Sequence, residues 1–185
     1  RGLGDVYKRQ PHRSVGSTPQ LIRTIADAVG KPDAGEALVK RTQEQIDQAK
    51  KQIAAWKPAK PMRVAFLYVR GNAGVFFILG SENGASELIQ GVGADDVASD
   101  KGITTLVPAN AESLVSINPD AIFVMRDGLA STGGMKGLLA RAGVANTTAG
   151  RKQRVISIPD GISLSFGPQT GEVLTAVAKA LYGVK

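Results

Sequence analysis

The segment Lys57-Pro58-Ala59-Lys60-Pro61 constrains the fold most, because the hydrophobic period changes across it. Its prolines remove backbone donors and block helical continuation, so one element must end there and another begin. Before it, from about Ala34 to Trp56, the residues Leu38, Thr42, Ile46, Ala49, Ile53 and Trp56 recur at helical spacing. At 1.5 Å per residue this helix would reach about 34 Å, the breadth of a whole domain. A shorter helix is expected over 17–30. Thr18 is its candidate cap, Pro19 fits the first turn, Leu21, Ile22, Ile25 and Val29 form the stripe, and Gly30 closes it.

After Pro61 the pattern becomes strands alternating with helices. Apolar runs at 62–69, 121–125 and 154–158 read as buried strands, with a short extended piece near Thr104–Val107. Helices are expected near 83–91, 110–117, 134–142 and 169–182, the second capped by Asn110. This alternation predicts an α/β fold: a three-layer, doubly wound lobe with a mostly parallel sheet and helices on both faces. The two amino-terminal helices have no sheet of their own. A long helix feeding a complete α/β unit reads as a connector, so the chain is expected to be the second half of a larger protein.

Residues 1–10, Arg-Gly-Leu-Gly-Asp-Val-Tyr-Lys-Arg-Gln, read as a translated sequencing adaptor rather than encoded protein and are set aside. The natural frame is then expected to be cut at its amino end, with any signal peptide or earlier domain upstream. The segment carries +2 of the formal +7, leaving +5 on the rest. Those charges are dispersed. Only Arg151, Lys152 and Arg154 cluster, without aromatic residues between them, which argues for a solvated surface and against nucleic-acid binding. There is no Cys and one His, His12, so thiolate metal sites, disulfides and thiol catalysis are excluded.

Ligands of open α/β sheets bind beyond the carboxyl ends of the strands. Tyr68 and Arg70 lie at that end of the first strand, two apart and therefore on one face. A guanidinium cannot lose its proton, so it can favour a neighbouring phenol oxygen as phenolate. Phenolate is a hard ligand for ferric iron, and tyrosine is a known haem ligand. Met125 ends a second strand and adds a soft apolar wall, while Gly71-Asn72-Ala73-Gly74 lets backbone approach a ligand. Each residue also has a plainer reading. Tyr68 can be a packed tyrosine with its hydroxyl in water, Arg70 the partner of a carboxylate, and Met125 core filler. Gly91-Val92-Gly93 follows a helix and lacks a third glycine, so it is no dinucleotide fingerprint. No phosphate loop, nucleophile elbow or paired catalytic carboxylates occur, which leaves little for an enzyme on such a sheet.

From about His12 onward the chain resembles the carboxyl-terminal part of actinobacterial haem-binding proteins, substrate-binding lipoproteins of ABC haem importers with a rigid helix between two lobes. The similar stretches are Arg63-Val64-Ala65-Phe66-Leu67-Tyr68-Val69-Arg70-Gly71, Ala85-Ser86-Glu87-Leu88-Ile89-Gln90, Asn118-Pro119-Asp120-Ala121-Ile122 and Leu164-Ser165-Phe166-Gly167-Pro168. The resemblance implies a helical-backbone periplasmic-binding-protein fold. On it, 11–33 ends the first lobe, 34–60 is the interlobe helix and linker, and 61–185 is the second lobe. It implies Tyr68 as axial ligand to haem iron, Arg70 hydrogen-bonded to that tyrosine, Met125 in the pocket and Tyr182 supporting it. Thr105 stands where relatives can carry an aromatic residue. Glu112 resembles the glutamate that docks on the permease, and its plain reading is a first-turn helix acid. The second axial histidine of the family comes from the first lobe, and His12 does not match it. The implied protein is a monomeric, extracytoplasmic, lipid-anchored or periplasmic haem carrier serving an ABC permease with its ATPase, and not an enzyme. Ferric siderophores and corrinoids are the alternative cargoes of the class.

Overall fold

A computed structural model of the chain describes residues 13–71 and 74–184. The adaptor-like segment and His12 lie outside the described residues, as do Asn72 and Ala73. Helix α1 (Thr18–Ala28) and helix α2 (Pro32–Trp56) form a tight pair, turned by Gly30 at φ +67°. Their approach depends on Gly35, where a Cβ would fall 2.3 Å from that of Ala26. Pro32 begins α2 earlier than the apolar stripe suggests, because its fixed φ suits the first helical position. Thr18 is not the cap of α1. Ser17 holds that position, and the Thr18 hydroxyl donates to the Phe166 carbonyl at 3.0 Å, tying α1 to the lobe.

The sheet contains β1 (Arg63–Arg70), β2 (Val75–Ile78), β3 (Asp95–Asp96), β4 (Val107–Pro108), β5 (Ala121–Met125) and β6 (Val155–Ile158). Its order is β4-β2-β1-β5-β6, and β3 pairs the first two residues of β1. Strands β1, β3, β5 and β6 are parallel, as expected of a mostly parallel sheet. The exception is β2, a strand not anticipated from the sequence, which folds back antiparallel on β1. Between strands lie α3 (Ala85–Gly91), α4 (Val97–Asp100), α5 (Ala111–Ile117), α6 (Arg126–Ser131), α7 (Gly134–Leu139) and α8 (Thr148–Arg151), and α9 (Thr170–Tyr182) follows β6. Asn110 caps α5 as expected, accepting from the Ser113 amide at 2.8 Å in a reciprocal capping box.

Alternation along the strands separates two cores. Val64 and Phe66 join Phe123, Ala49 and Ile53 of α2, Leu88 of α3 and Leu174 of α9 on one face. Ala65, Leu67 and Val69 join Ile122, Leu114, Leu138 and Val144 on the other. The result is three layers. Phe66 and Phe123 meet edge to face at 6.2 Å under the first face, a pairing worth about 1 kcal/mol beyond its burial. The carboxyl half of α2 is thus part of the lobe's own core, while its amino half packs on α1.

Candidate ligand site at the carboxyl ends of the strands

Parallel register sets the site. Leu67 pairs with Val124, so Tyr68 and Met125 follow as neighbours on the face that holds Phe66 and Phe123. On the other side of β1, Tyr68 is level with Phe77 and Arg70 with Val75. Tyr68 and Met125 are both half-buried, packed on the core below and open at the mouth above. Among the described residues the Tyr68 hydroxyl makes no hydrogen bond, and it is not a sealed polar atom.

Arg70 does not hydrogen-bond that hydroxyl. Its guanidinium carbon lies 5.2 Å from the Tyr68 ring centroid, a cation–π arrangement. Its Nη2 donates to Asp160 Oδ1 at 3.3 Å, and Asp160 Oδ2 accepts the Asp127 amide at 2.9 Å. The carboxylate wins because a charged acceptor outbids a neutral phenol for a guanidinium. The plainer reading of Arg70, a carboxylate partner, therefore holds together with its place beside Tyr68. Gly128, at the start of α6, lets that helix lie directly against the end of β1, where a Cβ would fall 2.6 Å from the Val69 carbonyl oxygen.

The turn after β1 is held from the opposite face. The Gly71 amide donates to Ser131 Oγ at 2.9 Å, and the Arg141 guanidinium donates to the Gly71 carbonyl. Arg141 also stacks over the Phe76 ring, with its Cζ 4.8 Å from the centroid. Sequence reasoning missed Asp160 and Arg141, which belong to no motif. The one signal for Asp160 was its place just past the carboxyl end of β6.

The structure does not bring Tyr182 to this mouth. Helix α9 follows β6 and runs back along the sheet, so its last turn lies at the amino ends of the strands. There the Tyr182 hydroxyl donates to the Val92 carbonyl at 2.7 Å, near Asp95, which is level with Arg63. Burial, then the charge of Asp95, push its phenol pKa up. Thr105 is exposed beside Gly80, beyond β2 and away from Tyr68. Glu112 is exposed in the first turn of α5. Arg63 grips the carbonyls of Ile117 and Asn118 at the other end of that helix, so Glu112 stands toward the mouth side but over the opposite core.

Among the described residues the mouth therefore offers the Tyr68 phenol oxygen, the Arg70 cation, the Met125 thioether and an apolar floor. Among the described residues no group of three or more His, Asp or Glu side chains could hold a bare metal ion. No described helix is long and apolar enough to cross a membrane. This is a one-sided platform, suited to one face of a flat ligand rather than to an enclosed ion.

Such a sheet, reached by a long helix and open at its strand ends, has the form of a ligand-binding lobe. The chain belongs to the periplasmic binding protein family, whose model matches residues 7–161. Among solved structures, the heme binding protein HmuT matches with a TM-score of 0.92 and 48% identity, over 95% of this chain and 57% of its own. Periplasmic heme-binding protein RhuT from Roseiflexus sp. RS-1, in apo form, gives 0.86 and 35% identity, over 92% of this chain and 64% of its own. BhuT, a periplasmic heme-binding protein in complex with two hemes, gives 0.83 and 31% identity, over 93% and 64%. The chain spans less than two thirds of each. Solved forms of HmuT include alanine variants of a tyrosine and of an arginine two positions further on. No curated protein matches.

Proposed function

We propose that this chain is the second α/β lobe, with the interlobe helix, of an extracytoplasmic haem-binding protein that delivers haem to an ABC permease and its ATPase. In this reading residues 34–60 join the lobes, and 61–185 form one wall of a cleft closed by a first lobe. The observation that carries it is the open Tyr68 hydroxyl beside Arg70 and Met125 at the strand ends. The likeness to solved heme-binding proteins supports the same cargo.

Ferric haem is the cargo, and Tyr68 supplies its axial oxygen. As the phenol loses its proton, the Arg70 guanidinium beside it offsets the new negative charge. Met125 and the ring of Tyr68 give the macrocycle an apolar floor, and Arg70, drawn toward Asp160 past the end of β6, bounds it with a fixed positive charge. Capture is reversible and makes no bond beyond iron–oxygen coordination, so no enzymatic step is assigned. Glu112, exposed on the mouth side, is free to meet a basic surface of the permease.

The test is Tyr68→Ala in the full-length protein, titrated with hemin. The Soret maximum should shift and affinity fall at least tenfold. An unchanged band and affinity would sink the reading. Competition with ferric siderophores in the same titration separates the two cargoes.

A further inference from the structure

Arg70 has two candidate partners at the mouth, and the structure shows which one holds it. Asp160 is the only side chain that accepts from it, through Oδ1, among the described residues. That carboxylate is itself fixed. Its Oδ2 takes the Asp127 amide at the start of α6, and Pro159 stiffens the chain before it. The guanidinium carries five donors in a rigid fork. Nη2 engages Asp160 and Nη1 donates to the Val69 carbonyl at 3.5 Å, which leaves the others free among the described residues. Gly128 closes off the rear, where a Cβ would fall 2.9 Å from Nη1. Arg70 is thus held from one side and left open toward Tyr68.

We propose that Asp160 is a positioning residue of the ligand site: it fixes Arg70 over the Tyr68 ring, so that the arginine is already in place when Tyr68 coordinates iron. This rests on the haem reading above. Asp160 would not touch the cargo. It acts by removing the rotamer freedom of Arg70 before binding, an ordering cost that otherwise falls on the bound state.

The test combines two variants of the full-length protein, Asp160→Ala and Arg70→Met, and their double, titrated with hemin. Asp160→Ala alone should weaken hemin binding by about two- to tenfold and shift the visible tyrosinate-to-iron charge-transfer band. In the Arg70→Met background it should change neither. An equal loss in both backgrounds, or no loss with Arg70 present, overturns the proposal. Asp160→Asn, which keeps volume and one acceptor oxygen, guards against a folding defect and should lie between wild type and Asp160→Ala; a loss larger than that of Asp160→Ala counts against it. A ligand-free arm separates this from the haem reading. The Arg70 guanidinium protons, observed by NMR, should exchange slowly in wild type and in Tyr68→Ala, and fast in Asp160→Ala. If wild type binds no hemin the haem reading fails alone, and fast exchange already in wild type removes the positioning role.

Discussion

Gly128 and Arg70 are in near contact across the junction of β1 and α6: a Cβ on Gly128 would lie 2.9 Å from Nη1 of Arg70. The same Cβ would meet the Val69 carbonyl at 2.6 Å, and that backbone oxygen cannot swing aside. Gly128→Ala is therefore expected to push α6 off the sheet, destabilising by about 1–3 kcal/mol. Urea unfolding reads this directly. The same variant should weaken hemin binding, since Arg70 must move with the helix.

Thr42 of α2 is buried at 1% exposure, and among the described residues its hydroxyl finds no partner. Replacement by Val keeps the shape and removes the unsatisfied oxygen. Thr42→Val should stabilise by up to about 1 kcal/mol, raising Tm by about 2–4 °C. Calorimetry of the two proteins side by side decides it.

Tyr182 carries a raised phenol pKa from burial and from Asp95. A proton held more tightly in the folded state stabilises fully below the unfolded phenol value of about 10. That contribution is lost as pH rises through the higher folded value. Wild type should therefore lose stability more steeply than Tyr182→Phe above about pH 10. At neutral pH wild type is the more stable of the two, because the variant gives up the bond to Val92 at a cost of about 1 kcal/mol. Denaturant midpoints across pH 7–11 show whether the curves converge.

Arg141 fixes the turn after β1 through the Gly71 carbonyl and the Phe76 ring. Arg141→Met should loosen the turn without unfolding the sheet. Amide exchange at Gly71 is expected to accelerate while that of the buried β5 residues does not. Equal acceleration at both would mean a global effect instead.

The parallel strands and most helices were legible because buried runs such as Ala121–Met125 and the stripe of α2 carry strong periodicity. Strand β2 was not. Val75-Phe76-Phe77-Ile78 is short, and the glycine-flanked turn before it was read as a ligand approach rather than as a hairpin. Tyr68, Arg70 and Met125 were legible as a group because strand register alone places them. Tyr182 came from the resemblance alone, and topology takes it elsewhere: a helix after a parallel strand returns toward the strands' amino ends, where its hydroxyl meets the Val92 carbonyl. Asp160 was invisible because a single carboxylate in a loop has no pattern until folding sets it against Arg70.

Pro108, level with Phe77 on the margin strand β4, has a consequence for life at high concentration. The Ala109 amide donates inward to Phe76, so strand alternation turns the Pro108 nitrogen outward. A further strand seeking to add there finds no hydrogen to accept. The sheet is thereby denied growth on that flank, which guards a crowded population of such molecules against linking edge to edge.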